Sequence, residues 1–406
     1  MNETINTVEE LINNVWKNDV VLSKETGKKF KDDDSLEAEH VIVIENNDGS
    51  YTFTRNNIEN VVPVAMEHKY EMPDFADRVK CLLKQALDGK RSCNILLYGP
   101  MGTGKTEFVN EIAKEMGFAK VYHVNGVEEM GEDAFYGRLT CKIDPKTGNN
   151  YTPFEKGALY NAFIEGTEVD SNGDQILYDE NGNVTNSPNG KPKVIGKPAI
   201  FFLDEFATIR PEVFLGVFNR AMEIPRNSGE SRSIEITAEN GKTVKSHPGM
   251  VMFFAGNTAG IGNCGKYEMS YTAQTNRMDA STLNRMSAKF KFGYNKKAEY
   301  NIIMSKLQDD LEADNLVKLR DNLRNLYREE KVETLFSTRN IVEICETASA
   351  YRNSLMNDWM TSAIKDTIFA GLPEMDVYAF NETIRSIYNV DLVNEDKEKQ
   401  SNMDYI

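Results

Sequence analysis

The most constraining feature of the sequence is a glycine-rich segment between an apolar run and a helix-favouring run. Gly99–Thr106 reads Gly-Pro-Met-Gly-Thr-Gly-Lys-Thr and fits the pattern G-x-x-x-x-G-K-[ST] at every fixed position. Glycines allow several backbone N–H groups to converge on a phosphate without a Cβ clash, and a following helix directs its positive dipole end at the same point. The pattern therefore predicts a strand, a phosphate-binding loop and a helix, in that order.

The residue types in this loop indicate how a triphosphate would be held. Lys105 can reach the β- and γ-phosphates, and the Thr106 hydroxyl can ligate Mg²⁺. A chance match in a glycine-rich turn is the alternative, and the flanking strand and helix argue against it. The candidate nucleotide-binding residues are Gly99, Pro100, Met101, Gly102, Thr103, Gly104, Lys105, Thr106 and Glu107.

A second apolar run ends in two acidic residues. Pro198–Phe206 reads Pro-Ala-Ile-Phe-Phe-Leu-Asp-Glu-Phe, which is typical of a central parallel strand covered on both faces. Asp204 at its carboxyl end is a candidate Mg²⁺ ligand, and Glu205 is a candidate general base for the attacking water. Alone, the pair could equally be an acidic helix start. Together with the phosphate-binding loop, it predicts hydrolysis of a nucleoside triphosphate.

A third apolar strand is predicted over Gly249–Thr258, and it ends at Asn257. An amide at this strand end could hold the hydrolytic water or the γ-phosphate from the side opposite Glu205. Asparagine is also a common turn residue. The order of the three strands favours the catalytic interpretation.

With these motifs the chain resembles an AAA+ ATPase, and it is most similar to the MoxR-like and cobaltochelatase-subunit-like (dynein-related, helix-2-insert) group. Asp133–Arg138 and Thr152–Ala162 resemble that group's helix-2 insert. Residues 229–248 resemble the hairpin that precedes its sensor 1 position, which Asn257 occupies here. The resemblance covers about residues 70–350. It implies an α/β fold: a P-loop NTPase αβα core with a parallel sheet, a C-terminal helical lid and a small N-terminal α+β appendage.

The resemblance also assigns two arginines. Arg285 occupies the position from which the family's arginine finger reaches the ATP of a neighbouring subunit, and Arg339 that of the sensor 2 arginine, which contacts the γ-phosphate from the lid. The acid and the aromatic residue that flank the family's finger are missing here, since the chain reads Leu-Asn-Arg-Met286. Arg277 is close enough in sequence to compete for the role.

Three parts are expected along the chain: an appended module over 1–65, the ATPase core over 66–293, and the lid with a polar tail over 294–406. In the first part, an apolar pattern from Val8 to Trp16 predicts a helix, and residues 40–45 and 50–54 predict a hairpin. Within the core, residues 167–197 form an Asn-, Gly- and Asp-rich insertion in which turn signals around a short apolar run favour another hairpin.

Composition excludes several classes of protein. The formal net charge is −16, which argues against a broad nucleic-acid footprint. The cysteines show no CxxC spacing, and the four histidines are scattered, so no zinc set can be built from them. The sequence shows neither a signal-peptide pattern nor a membrane-spanning run, and it therefore predicts a soluble, cytoplasmic protein.

The resemblance implies an ATP- and Mg²⁺-dependent ATPase that forms a homo-oligomeric ring, with a hexamer expected. The leading interpretation is a chaperone or remodelling motor whose client is a protein, commonly one with a von Willebrand A domain. A nucleic-acid motor or the NTPase subunit of a restriction or phage-defence system stays open, with Lys142, Lys146 and Lys156 as basic candidates. A nucleotide-gated scaffold is the third hypothesis, against which Glu205 and Asn257 argue.

Overall fold

The computed structural model describes residues 3–5, 20–22, 29–31, 40–45, 51–56, 70–143, 149–260, 276–354 and 356–393. The chain divides into two compact units, Met1–Pro63 and Val64–Ile406. Within the described residues, no helix has both the length and the apolar composition that crossing a bilayer requires.

The described residues of Met1–Pro63 form antiparallel strands. The predicted hairpin is confirmed, since His40–Glu45 pairs with Tyr51–Asn56 from His40 opposite Asn56 to Glu45 opposite Tyr51. The helix predicted near Val8 lies outside the described residues. The other strands are Glu3–Ile5, which extends this hairpin to three strands, and the pair Val20–Leu22 and Lys29–Lys31.

The described residues of Val64–Ile406 contain a five-stranded parallel sheet. Its strands are apolar on both faces, because alternate side chains enter opposite clusters: Ile95 and Leu97 pack on one side and Leu96 on the other. The predicted parallel sheet is thus confirmed. In spatial order the strands are Ala288–Lys291, Cys93–Tyr98, Val251–Gly256, Ile200–Asp204 and Val121–Asn125.

Helices cover both faces of this sheet, which makes the unit an αβα sandwich. The helix that precedes the strand Cys93–Tyr98 begins at Ala76. The helices of this part are Ala76–Leu87, Lys105–Met116, Glu132–Tyr136, Ala158–Ile164, Pro211–Ala221 and Ala280–Asn284, with short 3₁₀ turns at Phe206–Thr208 and Thr237–Glu239.

Short antiparallel hairpins project from the sandwich. The hairpin expected within residues 229–248 is present, and the 167–197 insertion contains a two-stranded ladder bridged further by Thr167 opposite Val194. Asp174 of this insertion forms ion pairs with Lys156 and Lys242, which lie on two other hairpins, so these ion pairs connect the three hairpins. The strand pairs are Gly137–Leu139 with Phe154–Lys156, Lys142–Ile143 with Asn150–Tyr151, Leu177–Tyr178 with Lys191–Pro192, and Ser233–Ile236 with Lys242–Lys245.

A helical region follows the sheet, as predicted for the lid. Its core is a separate apolar cluster that includes the fully buried Ile303, Leu319, Ile344 and Phe380. Its helices are Lys296–Leu307, Asp310–Arg328, Thr338–Asn353, Trp359–Thr367 and Glu374–Tyr388, with a 3₁₀ turn at Phe369–Gly371.

A buried arginine stabilises the amino end of the sheet. Arg232 is 1% exposed, and its guanidinium donates to the side-chain oxygen of Asn94 (2.5 Å) and to the carbonyls of Ala221 (3.0 Å) and Cys93 (3.1 Å). Burial lowers the pKa of Arg232 to about 10.

The Asn94 amide in turn donates to the carbonyls of Met222 (2.7 Å) and Arg285 (2.8 Å). Asn94 thus forms hydrogen bonds with groups from three separate segments of the chain.

Replacement of Asn94 by alanine should therefore lower the free energy of unfolding by about 2–4 kcal/mol, since it removes one acceptor of the buried Arg232 guanidinium and the donor to the carbonyls of Met222 and Arg285. Urea denaturation measures the change. The matched control is Asn227→Ala, which removes an exposed amide with one bond to Glu230 and should cost less than about 0.5 kcal/mol. Equal losses in the two variants would contradict the assigned importance of Asn94.

Candidate nucleotide-binding and hydrolysis site

Three neighbouring strands end at one point of the sheet. Tyr98 pairs with Gly256, and Leu203 pairs with Phe254, so the phosphate-binding loop, Asn257 and the two acids follow adjacent strands at the same edge. Ligands of open α/β sheets bind outside the carboxyl ends of the strands. The structure therefore brings together Thr106 and Asp204, which lie 98 positions apart in sequence, and Glu205 and Asn257, which lie 52 apart.

The phosphate-binding loop depends on glycines for two separate reasons. Gly102 and Gly104 have φ values of +65° and +82°, which side-chain-bearing residues rarely adopt. At Gly99, a Cβ atom would stand 2.3 Å from the carbonyl oxygen of Phe292. Alanine at any of these positions would therefore distort the loop or displace the strand end beside it.

Lys105 begins the helix after the loop and is only 7% exposed. Its ammonium group donates to the carbonyls of Gly99 (2.9 Å) and Pro100 (3.0 Å). Burial lowers the pKa of Lys105, an effect opposed by the charges of Glu205, Asp204 and Glu107 and reinforced by that of Arg339. The lysine thus lies within the electrostatic field of both acids and of the lid arginine.

Thr106 and Asp204 meet directly. The Thr106 hydroxyl donates to a carboxylate oxygen of Asp204 at 2.6 Å. His123, on the adjacent strand, stacks on Phe202 with ring centroids 4.7 Å apart and places its Nε2 3.9 Å from Asp204. Burial lowers the pKa of His123, while the charge of Asp204 acts in the opposite direction. A hydroxyl and a carboxylate at this distance are the ligand types that Mg²⁺ prefers.

Glu205 occupies a strained backbone conformation with φ +47°. The Thr208 hydroxyl shares its one proton between the carbonyl oxygens of Glu205 (2.8 Å) and Gly126 (2.7 Å), which holds the turn. Gly126 is required there, because a Cβ would stand 2.6 Å from the Glu205 carbonyl oxygen. Such strain is characteristic of functional positions.

The Glu205 side chain faces Asn257, whose amide donates to it at 3.3 Å. Burial raises the pKa of Glu205, and the neighbouring charge of Asp204 raises it further, whereas Lys105 and the Asn257 hydrogen bond lower it. The side-chain oxygen of Asn257 is buried without a hydrogen-bond partner among the described residues. A carboxylate with a raised pKa beside an unpaired amide oxygen is suited to holding and deprotonating a water.

The two candidate finger arginines lie at different ends of the sheet. Arg285 precedes the edge strand, its carbonyl is bound by Asn94 at the amino end, and its guanidinium donates to the Ser281 carbonyl at 3.0 Å. Arg277 is exposed and follows Asn276, whose amide donates to the carbonyls of Thr208 and Ile209 near the carboxyl end. The structure does not bring Arg285 into its own phosphate-binding loop.

Arg339 lies at the start of the lid helix Thr338–Asn353, which Ser337 caps in a capping box with Asn340. A Cβ on Gly102 would approach the Cβ of Arg339 to 3.4 Å and that of Ser337 to 3.0 Å. The lid arginine therefore begins beside the phosphate-binding loop of its own chain.

Comparison with known proteins agrees with this geometry. Residues 94–290 match the model of the AAA domain family, dynein-related subfamily. This part of the chain is an AAA domain. The dynein-related assignment made from the motifs is thus confirmed, while the MoxR-like or cobaltochelatase-like assignment within it stays a prediction. No match is found among curated proteins.

Solved structures of low identity resemble the chain. The Thermotoga maritima RuvB Holliday junction branch migration motor is 14% identical over 77% of this chain and 76% of its own, with a TM-score of 0.39. Cdc6p from Pyrobaculum aerophilum is 14% identical over 75% and 72%, with a TM-score of 0.43. A putative ATPase from Cytophaga hutchinsonii is 13% identical over 78% and 89%, with a TM-score of 0.33. Likenesses this weak do not bear on function.

Several residues around the AAA domain's site were missed by sequence reasoning. The Tyr70 hydroxyl donates to the Gly104 carbonyl at 3.1 Å, the Tyr294 hydroxyl to the Met101 carbonyl at 2.8 Å, and His123 lies beside Asp204. None stands in a recognisable motif. The one signal that could have drawn attention to His123 is that it is a polar residue within a short apolar segment.

The raised pKa of Glu205 has a consequence for stability. Because the folded AAA domain favours the protonated carboxyl, ionisation of Glu205 lowers stability above its raised pKa, and that cost is absent below the ordinary glutamate value of 4.5. Glu205→Gln should therefore raise the thermal unfolding midpoint at pH 8, and the gain should shrink as the pH falls toward 4.5. Differential scanning calorimetry across this range tests it, with the exposed Glu212→Gln as control. A gain that is independent of pH would show that the charge is not its source.

Proposed function

We propose that this protein is a Mg²⁺-dependent ATPase of the AAA+ class whose active sites are shared between subunits of a ring. The observation that supports hydrolysis is the convergence of Thr106, Asp204, Glu205 and Asn257 at one sheet edge, with contacts of 2.6 Å and 3.3 Å within the two pairs. Binding alone would require neither a strained glutamate nor a facing amide. The pairing therefore favours turnover over a nucleotide-gated scaffold.

In this proposal the loop glycines and the helix start hold the phosphates, and Lys105 exchanges the carbonyls of Gly99 and Pro100 for β- and γ-phosphate oxygens. Glu205 removes the proton from the attacking water while Asn257 orients it. The raised pKa makes Glu205 a better proton acceptor than an exposed glutamate. Arg339 neutralises the γ-phosphate from the lid of the same chain.

The donor set of Thr106 and Asp204 fits Mg²⁺, since both oxygens already face each other at 2.6 Å. Thr106 and Asp204 would hold the ion, which arrives with the nucleotide. When bound, Mg²⁺ would supply positive charge that offsets the negative charge of the triphosphate.

The strand Cys93–Tyr98 separates Arg285 from the loop of its own chain. Arg285 is bound at Asn94, five residues before Gly99, which corresponds to roughly 16 Å along an extended strand. This distance supports action in trans, on the nucleotide of a neighbouring subunit, as the resemblance to MoxR-like and cobaltochelatase-type proteins implies. A hexamer is the expected ring.

The client is proposed to be a protein, in keeping with the net charge of −16 and the insert hairpins. Two of the three lysines considered for nucleic-acid binding form ion pairs with acidic residues. Lys142 pairs with Glu155 at 2.6 Å, and Lys156 pairs with Asp174 at 2.8 Å. Lys146 lies outside the described residues. A von Willebrand A domain protein is the client class that the resemblance suggests.

Glu205→Gln should bind Mg-ATP with affinity within about threefold of wild type, assemble, and lose turnover by a factor of about 10² to 10⁴, because positioning survives while the base is lost. Steady-state phosphate release, a fluorescent ATP analogue and mass photometry give the three readouts. Glu212→Gln, on the neighbouring helix, should retain full turnover. Parallel assays with Mg-GTP establish the nucleotide preference.

Arg285→Ala should reduce turnover by at least about 10³-fold without weakening assembly, because a finger acts only on the transition state. Mixing it with Glu205→Gln should restore part of the activity, since such rings contain sites with an intact glutamate from one subunit and an intact arginine from the other. If Arg277→Ala loses turnover and Arg285→Ala retains it, Arg277 is the finger. If neither Arg277→Ala nor Arg285→Ala changes turnover, the shared site is refuted.

A further inference from the structure

Tyr294 joins the phosphate-binding loop to the lid. It lies between the edge strand Ala288–Lys291 and the first lid helix, Lys296–Leu307. Its hydroxyl donates to the carbonyl of Met101, inside the loop, at 2.8 Å. Tyr294 therefore lies in the connection between the sheet and the lid, and it also binds the backbone of the phosphate-binding loop.

The ring of Tyr294 is fixed by a buried ion pair. The guanidinium of Arg324 lies 3.8 Å from the ring centroid, and it binds Glu299 through two bonds, of 2.9 Å and 2.6 Å. Glu299 is 1% exposed and Arg324 4%. A guanidinium held by a bidentate carboxylate cannot move independently, so it provides a rigid platform for the aromatic ring.

The same ion pair holds the start of the lid helix that carries Arg339. Arg324 donates through Nε to the carbonyl of Phe336 (2.8 Å), and Glu299 accepts from the hydroxyl of Thr338 (2.5 Å). These residues flank Ser337, the helix cap. The loop touches this cap again at Gly102, as described above. Met101 and the helix start are therefore connected through Tyr294, Arg324 and Glu299.

We infer that Tyr294 is a positioning residue that couples the phosphate-binding loop to Arg339 through the Arg324–Glu299 pair. The inference rests on the proposed function, because it assigns Arg339 to the γ-phosphate. When Lys105 leaves the carbonyls of Gly99 and Pro100 for phosphate, the next residue, Met101, moves with the loop. The Tyr294 hydroxyl transmits that movement to the platform and hence to the first turn of Thr338–Asn353.

A double-mutant cycle with Tyr294→Phe and Arg339→Ala tests this coupling. Tyr294→Phe keeps the ring on Arg324 and removes only the hydroxyl, so the fold should persist with an unchanged thermal midpoint. We expect kcat for Mg-ATP to fall about fivefold, as for one neutral hydrogen bond. In the Arg339→Ala background the same change should cost less than about 1.5-fold, because the residue it positions is gone.

Two tyrosine controls separate coupling from general loosening. Tyr351→Phe removes a lid hydroxyl bonded to Asp366 at 2.8 Å, away from the loop, and should leave kcat unchanged. Tyr70→Phe removes a hydroxyl bonded to the loop carbonyl of Gly104 and should act additively with Arg339→Ala. Additive behaviour of Tyr294→Phe, or equal coupling for Tyr70→Phe, would overturn the inference.

A readout without turnover keeps this test separate from the proposed function. Hydrogen exchange of the amides at the start of Thr338–Asn353 should slow when Mg-ADP binds the wild-type protein, and should not respond in Tyr294→Phe, although the loop amides still do. If wild-type protein binds Mg-ADP but shows no ATPase activity, the proposed function fails while the exchange result still decides the coupling. An equal response in both proteins would overturn the coupling whatever the activity.

Discussion

The parallel register of the strand Cys93–Tyr98 with Val251–Gly256, and of the latter with Ile200–Asp204, is the constraint on which the site depends. The loop, the amide of Asn257 and the two acids come from distant parts of the chain, and only backbone hydrogen bonds between these strands place them side by side. A slip of one residue would turn Asp204 toward the opposite face of the sheet. The strands are apolar on both faces, so the surrounding clusters fix this register.

The site itself works against stability. Glu205 has a left-handed backbone and a carboxylate whose ionised form is disfavoured by burial and by Asp204, and Lys105 is buried beside them. Strain and desolvation each cost on the order of 1–3 kcal/mol at such positions. The phenylalanines that fill the core under Glu205, among them Phe206, Phe214 and Phe254, offset this cost, since a fully buried aromatic side chain contributes about 2–3 kcal/mol.

Sequence patterns predicted the parts of this molecule that are local. The phosphate-binding loop, the acids after an apolar run and the hairpins each occupy a short window with a characteristic spacing, and the structure has them where they were expected. Contacts between windows were not predictable. Nothing near Arg232 marks it as buried, because it stands in a segment rich in serine, glycine and charge, and Tyr294 follows a strand without any pattern that would link it to Met101. Such pairings depend on the order of the strands in the sheet, and no short segment of the sequence specifies that order.

The two ends of the strand Cys93–Tyr98 have different partners. Its carboxyl end continues into the phosphate-binding loop, and its amino end holds the backbone of Arg285 through Asn94. A strand packed on both faces cannot change length, so the sheet fixes the distance between the phosphate-binding loop and the backbone of Arg285. In the proposed function, movement driven by hydrolysis therefore arises where the loop meets a separately packed body. In the described residues that body is the lid, with a core of its own, and Tyr294 and Ser337 are where the loop contacts it.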